Sequence, residues 1–138
     1  MKRRARIGVL VLCWLVCAAG SASGAPAQKV VAYYFHVSVR CPTCRAIEEY
    51  AREAVERGFA EQLKSGALEW RPVNVQLPQN RHFIRDYQLY TRSLVLVKLK
   101  DGQQVEWRNL EKVWELVSRK TDFLKYVQTH VRAYLGGR

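Results

Sequence analysis

Two thiols stand three residues apart in "VRCPTCRAI", Cys41-Pro42-Thr43-Cys44, where an apolar run ends and a helical pattern begins. A pair at this spacing offers three kinds of chemistry: it can open and close a disulfide, give two soft ligands to a metal, or staple the chain. The staple is the weakest reading. A disulfide's stabilisation grows with the loop it closes, and two intervening residues remove almost nothing from the unfolded ensemble. A structural zinc site wants four ligands. Cys13 and Cys17 lie in the expected leader; after it the chain offers, beyond the two thiols, His36, His82 and His130, and of these only His36 is near enough in sequence to join, leaving the set one ligand short. Reversible thiol chemistry and the binding of a soft ion remain.

The neighbouring elements decide which thiol would act. Lys29–His36, "KVVAYYFH", is a β-rich run continuous enough to be buried on both faces. Residues 41–57 then follow a helical period. Cys44, Ile47, Ala51, Ala54 and Val55 share one stripe, Glu48, Glu49, Arg52 and Glu56 lie opposite, and Gly58 is the expected stop. Cys41 falls at the first turn, where unpaired backbone N–H groups and the positive end of the helix dipole both favour a thiolate. Helix N-termini and CxxC motifs lower a cysteine pKa from roughly 8.5 to about 3.5–7.5. Pro42 suits the first helical position, where its missing N–H is no loss, and Arg40 adds a cation. Cys41 is thus the expected attacking thiol, and Cys44, on the inward face, the resolving one.

The rest of the chain supplies the platform. Phe59 to Leu63 adds a turn, and Leu68–Val75 alternates as a strand. Asn80 is placed to cap a short helix from Arg81 to Leu89 with Phe83, Ile84 and Tyr87 inward. "SLVLVKLK-DG-QQVEWR" reads as a hairpin around Asp101-Gly102, a dipeptide that tolerates the positive φ angles of a two-residue turn. Asn109 is expected to cap a helix carrying Leu110, Val113, Trp114 and Val117. Thr121 is expected to cap the last helix, whose stripe is Phe123, Leu124, Val127, Val131 and Leu135. Trp70, Trp107 and Trp114 read as packing residues. The order β-α-β-α-β-β-α predicts an α/β fold, a four-stranded mixed sheet flanked by helices. A right-handed crossover makes its first two strands parallel and sets Cys41 at the carboxyl edge, where α/β sites form.

Residues 1–27 have the plan of a secretory signal peptide: Lys2, Arg3, Arg4 and Arg6, an apolar run from Ile7 to Ala19, then "GSASGAPA". The run is short of the ~20 residues that span a bilayer. This predicts a periplasmic or otherwise extracytoplasmic protein with one domain over 28–138, the leader acting as a membrane tether if it is not cleaved. The chain carries +11 at pH 7; without the four leader bases, 19 Lys and Arg face 12 Asp and Glu, a net +7. These bases are scattered among acids, so a solvated basic surface is expected rather than a nucleic-acid interface. Such a surface favours acidic partners or anionic lipid.

The order strand, CxxC, helix resembles the thioredoxin fold over nearly all of the chain that follows the leader. More narrowly, "YYFHVSVRCPTC", "DYQLYTRSLVLVK" and "EWRNLEKVWELV" resemble the small thioredoxin-like family labelled ArsF-type, or nitrophenyl nitroreductase subunit, over roughly Val30 to Leu135. The thioredoxin resemblance implies a thiol–disulfide oxidoreductase working through a mixed disulfide. Cys41 and Cys44 would be catalytic, with Pro42, Thr43, Thr91, Arg92 and Ser93 lining the substrate surface. It implies no cofactor and no metal, a protein thiol or disulfide as substrate or redox partner, and a monomer.

Three departures stand out. Thioredoxins carry a buried acid six residues before the first cysteine; here that position is Phe35, and neighbouring His36 is expected on the other face of the strand. Where they place a cis-proline before the third core strand, this chain has Arg92, a cation that would steer an anionic substrate, pair with the thiolate or stay solvated. The Pro-Thr dipeptide matches neither the Gly-Pro of reductants nor the Pro-His of strong oxidants, so it leaves the direction of exchange open. The alternative is a non-catalytic soft-metal-binding or partner-subunit module using the same cysteines.

Overall fold

The run that reads as doubly buried becomes β1, Gln28–His36, the strand at the heart of the sheet. The computed structural model describes residues 26–137; the expected leader lies almost wholly outside them. Side chains alternate across a strand, so β1 feeds two cores. Val30, Ala32 and Tyr34 enter the larger one, while Val31, Tyr33 and Phe35 enter the smaller. Next come α1 (Pro42–Gly58), α2 (Ala60–Ser65), β2 (Leu68–Asn74) and α3 (His82–Asp86). The chain finishes with β3 (Ser93–Lys100), β4 (Gln103–Asn109), α4 (Val113–Leu116) and α5 (Lys120–Tyr134).

The sheet order is β2-β1-β3-β4. β1 and β2 run parallel, with Val30 opposite Leu68; β3 is antiparallel to β1, and β4 to β3. This strand order and these directions are those of the thioredoxin fold. Asp101 and Gly102 take φ of 50° and 79° at the hairpin, as their types predict. The α1 stripe is buried as expected, at Cys44, Ile47, Ala51, Ala54 and Val55. It meets Phe123, Val127 and Val131 of α5 over the larger core.

Four boundary expectations are corrected. Gly58 is the last residue of α1 rather than the residue beyond its end; the C-cap is Phe59, which leaves helical angles (φ −144°) as its ring is buried. Gly58 is also a close-approach position, since a Cβ there would lie 3.0 Å from the Gln128 amide nitrogen. Asn80 caps nothing: its amide donates to the Asn74 carbonyl at 2.9 Å, closing a turn, and α3 is only five residues long. Ile84, expected inward, is 43% exposed. Asn109 is held in the sheet opposite Val95, so α4 begins only at Val113. α5 starts one residue before Thr121, because Lys120 is drawn onto α1 by Glu53 (2.7 Å) and the face of Tyr50 (4.9 Å).

Three tyrosines give this packing a pH signature. Tyr34, Tyr87 and Tyr134 have pKa values pushed up to about 12, chiefly because burial disfavours the phenolate. An unfolded tyrosine titrates near ~10. The fold's advantage is therefore complete below about pH 10 and is lost as pH climbs toward about 12. Urea midpoints should hold steady from pH 8 to 9.5 and then fall steeply; a flat profile to pH 11.5 would contradict this.

Candidate active site

Cys41 occupies the N-cap of α1 in an extended conformation (φ −72°, ψ 160°), and Pro42 takes the first helical position. The carbonyl of Cys41 accepts the Arg45 N–H at 3.1 Å, the first helical bond. The Cys44 N–H donates to the Cys41 sulfur at 3.1 Å, so an amide with no helical partner points at the outer sulfur. Cys41 and Cys44 are joined in a disulfide with Cα atoms 5.1 Å apart. The two sulfurs live in different surroundings. Cys41, Pro42 and Thr43 are exposed, whereas Cys44 is 1% exposed.

The floor beneath the pair comes from the end of β1. Phe35 lies on the far face, stacked on Tyr33 at 5.2 Å, and Tyr34 and His36 face α1. The Tyr34 hydroxyl donates to the Cys44 carbonyl at 2.7 Å. Burial raises that hydroxyl's pKa first, and the Glu48 carboxylate adds to the effect. Arg40 bridges Glu48, through one guanidinium nitrogen, and the Nε2 of His36 at 2.7 Å through the other. Arginine only donates, so Nε2 accepts and Nδ1–H is left to donate to the Val37 carbonyl at 3.1 Å. Both imidazole nitrogens are thus engaged. Among the described residues, no three His, Cys, Asp or Glu side chains gather as a metal set. His82 pairs with Asp86 at the surface, and His130 is half-buried against Tyr126.

The loop before β3 meets the dithiol loop from the side. Arg92 donates to the Val39 carbonyl at 3.3 Å, two residues before Cys41, and its own carbonyl accepts the Trp114 indole N–H at 3.0 Å. Thr91 is exposed. Ser93 is 3% exposed and donates to the Thr91 carbonyl at 2.9 Å, so it shapes the loop from within. No described peptide bond is cis. Between this loop and the end of β1 lies a cleft of about 190 Å³, walled by Phe35, His36, Val37, Ile84 and Leu89, with Arg92 as its cation.

Three contributors escape the sequence reading. Tyr34 was legible only as part of an apolar run, although period two already set it on the face of His36. Glu48, placed by the helical pattern on the solvent face, is only 19% exposed at its side chain because Arg40 folds over it. The clue was its spacing, four residues after Cys44. Trp114 buttresses the Arg92 loop from 22 residues away, and no local pattern announces that.

No family model matches the chain, and no curated protein does. Among solved structures it is similar to a thioredoxin from Fasciola hepatica, at 21% identity over 67% of this chain and 81% of that one (TM-score 0.40). A mutant thioredoxin from Entamoeba histolytica is 19% identical over 73% of this chain and 81% of that one (0.41). The Schistosoma mansoni thioredoxin pre-protein is 16% identical over 71% and 82% (0.41). The fold assignment rests on strand order and register.

Proposed function

We propose that the protein exchanges dithiol for disulfide with a protein partner, as a thiol–disulfide oxidoreductase acting outside the cytoplasm. One observation carries this reading: a closed Cys41–Cys44 pair at a helix N-terminus, its outer sulfur accessible and its inner sulfur buried. In the oxidised protein, a partner thiolate attacks Cys41 Sγ, the intramolecular S–S bond breaks, and Cys44 leaves as thiolate. A second partner thiol then attacks the partner sulfur of the mixed disulfide and releases Cys41. The partner is oxidised by two electrons and the protein reduced by two; the reverse sequence runs through the same intermediate. The amide donated to the outer sulfur favours its anionic form in either direction. The extracytoplasmic setting is supported by the leader-like residues 1–27. The narrower ArsF-type reading, a subunit serving a reductive system, rests on the three stretches quoted for it.

A redox titration paired with metal analysis tests the proposal. The purified chain should be metal-free and show one two-electron transition between about −120 and −300 mV, with a tenfold change in ratio per ~30 mV. Near-stoichiometric metal, released only when the thiols are blocked, would establish a soft-ion carrier instead.

A further inference from the structure

The guanidinium of Arg92 is under-used. It is half-buried and, among the described residues, makes one hydrogen bond, the 3.3 Å contact to Val39, while its buried Nε finds no acceptor there. Among the described residues no carboxylate pairs with it, and neither Asp nor Glu lines the cleft it borders. A cation partly withdrawn from water without a partner is unfavourable. A ligand carboxylate would relieve that, and Arg92 is the cation in the wall free to meet it, since both His36 nitrogens are already engaged.

Size and surroundings narrow the ligand. About 190 Å³ is below the roughly 300–1,000 Å³ of pockets that enclose a whole small molecule. It suits one side chain. The walls are carbon from Phe35, Val37, Ile84 and Leu89, fitted to methylenes. Tyr90, on the cleft's rim, is 95% exposed, and Val39, outside it, 79%, apolar contacts for the remainder of a bound segment. We propose that the cleft beside the dithiol receives an acidic side chain, glutamate above all, flanking the reactive cysteine of the partner protein, with Arg92 as the specificity-determining residue. This rests on the exchange reading of the same site.

The test uses the full chain in its reduced form and two synthetic peptides that differ only in Glu or Gln beside a single cysteine, activated as the 2-pyridyl disulfide. Cys41 thiolate attacks the peptide sulfur, forming the mixed disulfide and releasing pyridine-2-thione, whose absorbance reports the rate. Cys44 then displaces the peptide thiol and closes the protein disulfide. The Glu peptide should react about tenfold faster, the scale of one charge-assisted contact. The ratio should collapse toward one in Arg92→Gln and survive in part in Arg92→Lys. In the unmodified protein it should shrink as salt rises from about 0.05 to 0.5 M, a check that needs no variant. Equal rates on the two peptides would overturn the proposal. So would an Arg92→Gln protein that slows on both peptides with the ratio kept, the behaviour of a cation serving the thiolate. Failure to react with either peptide would overturn the exchange reading along with it.

Discussion

Cys41→Ser should abolish exchange, with a rate loss on the order of a thousandfold or more, as expected when a nucleophile is deleted. Cys44→Ser should turn the protein into a trap. The asymmetry follows from burial: an incoming sulfur can reach Cys41, which is exposed, and not Cys44, which is 1% exposed under α1. With Cys44 absent, the mixed disulfide at Cys41 loses its resolving thiol and accumulates. Adducts isolated from cells expressing Cys44→Ser should be reducible and identifiable by mass, and the Cys41→Ser strain should yield none. Equal adduct yields from the two variants would remove the assigned roles.

Phe123→Ala should be the most damaging single change away from the sulfurs. Phe123 is fully buried in the larger core, where its ring meets Tyr50 of α1 edge to face at 5.7 Å. Deleting a buried phenyl group costs about 3–5 kcal/mol in transfer and cavity terms. That is a large share of the roughly 5–15 kcal/mol that holds a domain together, and it should lower Tm by ~15 °C or more. The residue clamps α5 against the helix that carries the dithiol, so stability should fall while mixed-disulfide formation persists in whatever fraction remains folded. A loss under about 1 kcal/mol in urea melts would show that α5 is not the clamp.

Much of this architecture could be read from periodicity. A continuous apolar run marked β1, a 3.6-residue stripe marked α1 and its buried face, and Asp-Gly marked the hairpin. What failed was termination. Gly58, Asn80, Asn109 and Thr121 all have the chemistry of helix ends, but tertiary contacts outweighed those local preferences: Phe59 seeking the core, Asn80 bonding back to Asn74, Asn109 retained in the sheet and Lys120 drawn to Glu53. At the site, the cysteines and the Arg92 loop were legible because their types and order carry chemistry. Glu48 was not, because its partner Arg40 sits in the loop before the helix, and a pattern confined to the helix assigns a carboxylate there to solvent. Trp114 depends on a contact 22 residues distant, beyond any local rule.

β1 is paired on both edges and covered on both faces, and the loop to Cys41 leaves directly from its end. Amides in such a strand exchange with solvent only when the whole molecule opens. The anchor of the reactive loop therefore belongs to the last region to come apart on heating. The anchoring of the Cys41–Cys44 loop and the integrity of the whole molecule are in this way a single cooperative property of the chain.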